Sequence, residues 1–188
     1  AVTSPNGEFI VFSALGHLYK KNLPNGEPTR LTNSTDFEFE PTFSPNGSEI
    51  LYVTWNDLEK GAIHKISANG GNSKKLTSKK GIYRTPSYSP NGTQITFRKE
   101  NGNTDQGFTF TKNDGIYVMN ADGSNEKFVI DKGEYPTFSK DGKRIFLQIG
   151  GTYFGDIEKK LISINLEGND EKTHVTSKYA NRLIPSPN

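Results

Sequence analysis

The sequence contains no cysteine, one methionine and one tryptophan among its 188 residues. The absence of cysteine excludes a disulfide framework and thiol catalysis. It does not indicate whether the protein resides in an oxidising or a reducing compartment. No apolar run approaches the roughly 20 residues that a membrane-spanning helix needs, so membrane insertion is not expected. The formal net charge is only +2, with both signs mixed along the chain, so nothing predicts nucleic acid as a partner.

Hydrophobic residues are also scarce, at 31% of the chain. Yet the sequence has 12 Phe and 8 Tyr, which is far too many aromatic residues for a disordered chain. A thin, turn-rich β protein, with its core divided among several small sheets, satisfies both observations.

One tight turn is repeated along the whole chain. Ser-Pro-Asn-Gly begins at positions 4, 44 and 89, returns as Ser-Lys-Asp-Gly at 139, and breaks off as Ser-Pro-Asn at 186–188. Proline fixes φ for the second turn position, and glycine supplies the conformation that other residues resist. A period of about 40–50 residues with several short strands per unit is typical of propeller blades.

Each complete turn is followed by an apolar pair spaced two residues apart, which places both side chains on one face of a strand. The pairs are Ile10 with Phe12, Ile50 with Tyr52, Ile95 with Phe97, and Ile145 with Leu147. We expect the four isoleucines to be buried between adjacent blades.

These patterns predict an all-β protein, a β-propeller built of four-stranded antiparallel blades. We expect a partial propeller domain over 1–188, with blades at about 1–33, 34–78, 79–130 and 131–177 and the start of a fifth at 178–188. Four blades plus a fifth innermost strand (183–186) indicate an arc of a larger ring, and the first residue, Ala1, favours a removed leader or an excised piece. Since the end blades of an arc each lack a neighbour, we expect self-association through open blade faces.

The channel mouth is the first candidate binding surface. Loops from all blades converge there in propellers, and the residues just before the innermost strands are of mixed charge. The candidates are Glu40, Arg84, Glu134, Tyr135 and Arg182. They could hold a polar or peptide-like group, or they could only solvate the mouth.

Two long connections between the second and third strands of a blade form the second candidate surface. The segment 99–114 carries Phe108 and Phe110, and the segment 150–156 carries Tyr153 and Phe154. Long loops inside compact domains are usually functional or disordered, and these two emerge on the same rim. They could dock on a partner, or their aromatic rings could pack locally.

No catalytic constellation is expected. The three histidines, His17, His64 and His174, belong to different blades, so a metal site is not predicted. A Gly-x-Ser-x-Gly nucleophile turn and a phosphate-binding glycine loop are both absent from the sequence. We expect no catalytic residue, no metal and no cofactor.

The repeated Ser-Pro-Asn/Asp-Gly turn ahead of an apolar strand resembles the PD40 (WD40-like) repeats of TolB-type β-propellers. Asn stands at 6, 46, 91 and 188 where most copies carry Asp, and Asp stands at 141. Short phrases also resemble the propeller part of large exported bacterial amidohydrolase-family proteins; they lie at 12–16, 52–55, 150–155 and 178–187. This resemblance implies an exported, periplasmic or extracellular protein whose metal-dependent hydrolase domain lies outside this chain.

Three functions follow as alternatives. The first is a non-catalytic module for protein–protein interaction, or for gating access to a neighbouring hydrolase domain. The second is a stand-alone TolB-like envelope scaffold that binds other proteins. The third is an enzyme in its own right, which these residues favour least because no nucleophile, base and orienting group can be assembled from them.

Overall fold

The computed structural model describes residues 1–103, 108–109, 113–150, 158–180 and 182–185, with the backbone alone at 103, 108 and 109. The strands in these ranges form four antiparallel sheets of four strands each and one two-stranded ribbon. This part of the chain contains no helix that could cross a membrane.

Each sheet is one blade, and its strands follow chain order from the innermost to the outermost. Blade 1 contains β1 (Val2–Thr3), β2 (Phe9–Ala14), β3 (His17–Asn22) and β4 (Thr29–Arg30). Blade 2 contains β5 (Phe37–Phe43), β6 (Glu49–Asn56), β7 (Lys60–Ser67) and β8 (Lys74–Lys75). Blade 3 contains β9 (Ile82–Tyr88), β10 (Gln94–Glu100), β13 (Gly115–Asn120) and β14 (Lys127–Ile130), with the ribbon β11 (Gly102–Asn103) and β12 (Phe108–Thr109) inserted after β10. Blade 4 contains β15 (Glu134–Phe138), β16 (Arg144–Ile149), β17 (Lys159–Asn165) and β18 (Lys172–Ser177).

The repeated turn joins the innermost strand to the second strand of every blade. Its glycine has φ between 70° and 74° in all four copies, the region that glycine adopts without steric cost. In blade 2 the Gly47 N–H donates to the Ser44 carbonyl at 2.8 Å, and the Ser44 hydroxyl accepts from the Glu49 N–H at 2.9 Å. The structural role predicted for this turn is therefore confirmed, and it defines one rim of the molecule, the turn rim.

Adjacent blades bury their apolar faces against each other in three separate cores. Between blades 2 and 3, Leu51 and Val53 of one sheet pack with Ile95 and Phe97 of the next. Equivalent clusters lie between blades 1 and 2 and between blades 3 and 4. Ile50, Ile95 and Ile145 are fully buried, as the sequence predicts, because each faces the preceding blade.

The expectation is wrong for Ile10, which is only partly buried. Within the described residues no blade precedes blade 1, so the face that carries Ile10 and Phe12 is not covered by a sheet. On the opposite face of the same strand, Val11 is fully buried against blade 2. The last blade shows the same effect, since Val175 is 47% exposed whereas its counterparts Leu31 and Leu76 are 8% and 7% exposed.

The fifth innermost strand is not present in the described part of its segment. Residues 182–185 carry no strand, and Ser186 lies outside the described residues. The segment is nevertheless held to blade 4, because the Leu183 N–H donates to Gln148 Oε1 at 2.7 Å.

We expect position-matched alanine substitutions to separate covered from uncovered blade faces. Ile50→Ala should lower the free energy of unfolding by about 2–5 kcal/mol, because it removes methyl groups from a filled core. Ile10→Ala should cost about half of that or less, since solvent already reaches the side chain. Denaturant titration of both variants provides the measurement, and equal losses would show that another surface covers Ile10.

We also expect the 188-residue chain to self-associate through the faces that carry Ile10 and Val175. In the internal repeats an adjacent blade covers these apolar faces, but on the two end blades they are exposed. Exposed apolar faces of this kind drive association. Light scattering at micromolar concentration should report a particle larger than one chain, and Ile10→Lys with Val175→Lys should reduce its size. A strictly monomeric wild-type particle would contradict the expectation.

Candidate functional site

The innermost strands of blades 2, 3 and 4 share one unusual backbone feature. Glu40, Thr85 and Tyr135 have φ of 50°, 47° and 52°, and each directly precedes a proline. In each blade the strand register slips at this point, so that this residue and its proline together oppose one residue of the second strand. Such bulges accommodate a proline that cannot donate a ladder hydrogen bond.

Left-handed backbone at a residue other than glycine costs of order 1–3 kcal/mol, and it concentrates at functional sites. Three successive blades place this strain at the same height on the strands that surround the propeller axis. The bulges therefore mark the channel mouth as a candidate site on physical grounds.

Glu40 and Arg84 form an ion pair that joins blades 2 and 3. Arg84 donates from Nε and Nη2 to Glu40 Oε1 at 2.8 and 2.7 Å, and the Thr85 N–H donates to Glu40 Oε2 at 2.6 Å. The hydrogen bond to Glu40 raises the pKa of Arg84 above its ordinary value. Both carboxylate oxygens of Glu40 are thus used within the protein.

Tyr135 and Arg182 contact each other at the mouth. The Arg182 guanidinium lies 4.3 Å from the centroid of the Tyr135 ring, which is a cation–π contact. The neighbouring Glu134 is partly buried, and burial raises the pKa of its carboxyl even though the charge of Arg98 opposes this shift.

Some of these side chains line an axial cavity of about 470 Å³. Its wall contains Glu40, Tyr135 and Arg182 from the predicted set. The wall also contains five serine and threonine side chains: Ser13, Thr42, Thr85, Ser87 and Thr137. We call this space the axial cavity.

A second, largely apolar pocket of about 440 Å³ opens between blades 2 and 3. Its wall is formed chiefly by Phe39, Val53, Trp55, Ile82 and Tyr83, and Glu40 and Arg84 stand at its polar side. We call it the interblade pocket.

The rim opposite the repeated turns, the loop rim, exposes apolar side chains at its hairpin tips. Leu15 is 90% exposed at the tip between β2 and β3, and Leu58 is 83% exposed at the tip between β6 and β7. Phe37, which is 56% exposed, lies against Gly16, and its ring centroid is 6.4 Å from that of Phe39 at the interblade pocket. We call Leu15, Phe37, Phe39 and Leu58 the apolar rim.

The predicted site residues therefore have different positions. Glu40, Tyr135 and Arg182 line the axial cavity, Arg84 contacts it through Glu40, and Glu134 does not belong to its wall. Among the predicted docking residues, Phe110, Tyr153 and Phe154 lie outside the described residues, and only the backbone of Phe108 is described, in β12.

Sequence reasoning missed the hydroxyl groups of the axial cavity and the interblade pocket. The hydroxyls had a readable signal, because Thr42, Ser87 and Thr137 each follow the proline of the bulge. The pocket had none, since Trp55 and Ile82 are 27 positions apart and meet only when two blades pack.

One serine–histidine pair occurs on blade 4, where Ser163 Oγ lies 2.7 Å from His174 Nε2. Ser163 is fully buried, and its hydroxyl accepts a hydrogen bond from Arg144 Nε at 2.8 Å. A buried hydroxyl that is held in this way has no access to substrate, so the pair is not a nucleophile–base arrangement. Across the described ranges, no group of three or more His, Asp or Glu side chains is arranged to hold a metal ion.

No family model matches the chain, and no curated protein matches it significantly. Solved structures do match. An oligogalacturonate lyase in complex with manganese aligns with a TM-score of 0.66 and 14% identity, over 93% of this chain and 52% of the lyase. The tricorn protease aligns with a TM-score of 0.68 and 12% identity, over 91% of this chain and 22% of the protease.

A candidate TolB from Agrobacterium tumefaciens covers 93% of this chain and 79% of its own, at 16% identity and a TM-score of 0.45, which is too low to support an argument. This chain therefore spans about half of the lyase and about a fifth of the tricorn protease. At these identities the similarity shows the fold alone. The chain is an all-β propeller module built of four-stranded blades, as the sequence predicts.

We expect Glu134→Gln to stabilise the protein at neutral pH. Because burial raises the pKa of Glu134 above 4.5, this group favours folding below its unfolded pKa, and that contribution is lost as the pH rises through the folded pKa. Thermal unfolding at pH 7 should show a higher midpoint for the variant than for the wild type. The difference should vanish near about pH 3.5, where both states bind the proton. Glu167→Gln, at an exposed position, is the control, and no gain at pH 7 for Glu134→Gln would contradict the expectation.

Proposed function

We propose that this propeller module is non-catalytic and binds a protein partner on its loop rim. The observation that carries the proposal is the exposure of Leu15 and Leu58 at equivalent hairpin tips of neighbouring blades. Single exposed apolar residues are ordinary, but apolar side chains that recur on one rim and continue into a pocket are typical of interaction sites.

Leu15 supports the proposal most strongly because its conformation is unfavourable for folding. Leu15 and Gly16 have φ of 50° and 81°, as the two central residues of a type I′ hairpin turn require. Asn, Asp and Gly are preferred at the first of these positions, and a branched apolar side chain adds backbone strain there. At 90% exposure Leu15 buries almost no surface that could offset the strain, so a role outside folding accounts for it better.

The interblade pocket gives this rim an anchor point. Phe39 belongs both to the apolar rim and to the pocket wall, so the two surfaces are continuous. Protein interfaces obtain much of their affinity from a few large apolar side chains that fill such pockets. The partner segment should therefore present an aromatic or branched apolar side chain.

The partner could be a hydrolase domain of the same protein, as the resemblance to amidohydrolase-associated propellers implies, in which case the rim would also gate access to it. The stand-alone envelope scaffold remains the alternative, with the same rim and a separate partner protein. An exported location belongs to the proposal in both cases. The two differ in whether the partner is covalently linked, which the reading frame of the parent protein decides.

Binding of selected peptides tests the proposal. Peptides enriched from a random library on the immobilised wild-type chain should carry an aromatic or branched apolar residue. Their affinity should fall at least about tenfold, or ~1.4 kcal/mol, in the variant Leu15→Asn with Leu58→Asn. Leu15→Asn alone should leave the unfolding midpoint unchanged or raise it, because Asn tolerates the left-handed region.

Leu23→Asn is the matched control, since Leu23 is 40% exposed and follows β3 at the turn rim. It should leave peptide affinity unchanged. Equal loss in the control and the rim variant, or binding that survives both rim substitutions, would contradict the proposal.

A further inference from the structure

The interblade pocket has an apolar wall that the fold alone does not require. Val53 and Trp55 of β6 form part of this wall. Arg98 and Glu100 occupy the equivalent positions of β10, and Arg98 donates to the Gly133 carbonyl at the junction of blades 3 and 4. The corresponding place in the next pair of blades is therefore charged. The apolar pocket is a property of these particular side chains and not of every blade junction.

The charged side chains that line the pocket or contact its wall carry both signs: Glu40, Asp57, Glu100, Lys60, Arg84 and Lys99. Arg84 and Lys60 oppose the entry of a cation, because like charges repel at short range. Glu40 and Glu100 oppose the entry of an anion for the same reason. The occupant of the pocket should therefore be neutral.

The ion pair at the polar side of the pocket can still form hydrogen bonds of both kinds. Glu40 Oε1 accepts from Nε and Nη2 of Arg84, and Oε2 accepts from the Thr85 N–H. A carboxylate has about four acceptor positions, so one remains. Arg84 Nη1 lies 3.9 Å from Glu100 Oε2, which is too long for a hydrogen bond. A ligand can reach both partners, since the side chains of Glu40 and Arg84 are 25% and 46% exposed.

We propose that the interblade pocket selects the phenol ring of a tyrosine side chain. A phenolic hydroxyl both donates and accepts a hydrogen bond, so it can donate to Glu40 and accept from Arg84. The ring contacts the accessible apolar side chains of the wall, which are Phe39, Trp55 and Ile82. Phenylalanine has no hydroxyl, and the indole N–H of tryptophan can only donate. Neither of them replaces the water that hydrates both partners of the ion pair.

This inference rests on the proposed function, because it names the side chain that anchors the partner segment. The pocket can nevertheless be tested alone, with single amino-acid derivatives that do not require the apolar rim. Trp55 is the only tryptophan of the chain and belongs to the pocket wall. Its fluorescence therefore reports occupancy of this site.

Fluorescence titration of the 188-residue chain with N-acetyltyrosinamide and N-acetylphenylalaninamide tests the proposal. Excitation at the red edge of the tryptophan band avoids absorption by either derivative. We expect the tyrosine derivative to bind at least about fivefold more tightly, because its hydroxyl gains hydrogen bonds to two charged groups.

Substitutions at the ion pair then locate the preference. Arg84→Met should reduce the preference for the tyrosine derivative to about twofold or less, because the donor at the polar side is lost. Arg84→Lys should give an intermediate preference, since the charge remains while the planar fork is lost. Arg30→Met is the matched control, because it removes a guanidinium from the outermost strand of blade 1, outside the pocket wall. It should leave both affinities unchanged, and thermal unfolding shows that each variant is folded in the assay.

Three results would overturn the inference: equal affinity for the two derivatives, no response of Trp55 to the tyrosine derivative, and a tyrosine preference that survives Arg84→Met. The proposed function fails separately. Peptides that depend on Leu15 and Leu58 but bind equally well with phenylalanine in place of tyrosine would contradict the tyrosine anchor and leave rim binding intact. A tyrosine preference in the derivatives without any rim-dependent peptide would contradict rim binding and leave the pocket.

Discussion

The structure depends on the packing of one blade face against the next. A four-stranded sheet of this size has two faces and cannot bury either by itself, so every blade obtains its core from its neighbours. Ile95 and Phe97 share one face of their sheet with Met119 and Tyr117. They are fully buried because Leu51 and Val53 of the preceding blade cover that face. The difference between Ile95 and Ile10 has the same cause.

The second constraint acts at the axis. Innermost strands that ran straight would place a proline inside a regular ladder, where its missing N–H would leave the pairing incomplete. The bulges at Glu40, Thr85 and Tyr135 solve this by taking two residues out of register, and they use left-handed backbone to do so. The same distortion brings side chains of three blades into one cavity. Local strain and the composition of the cavity wall are thus two results of one sequence pattern.

Stability and binding favour different residues on the loop rim. Leu15 occupies a turn position where Asn would be less strained. Proteins retain such local violations of folding rules mainly at functional sites. Leu15 lies on the loop rim, whereas the turn rim follows the expected turn chemistry, with glycine at every position of positive φ in the repeated turn.

The sequence by itself determined the repeating unit. Turn glycines and apolar pairs spaced by two depend only on local backbone geometry, so the four-stranded blades and the burial of Ile50, Ile95 and Ile145 could be predicted from the letters. The positions before the prolines could be located in the sequence. Their left-handed backbone could not be predicted, because a bulge depends on how the strand pairs with its partner strand. Only the tertiary structure decided what lies between blades. The pairing of Glu40 with Arg84, the contact of Arg182 with Tyr135 and the joining of Phe39 to Ile82 in one pocket each link residues that are more than 40 positions apart. Such contacts are set by the rotation of one blade relative to the next, which no local pattern encodes.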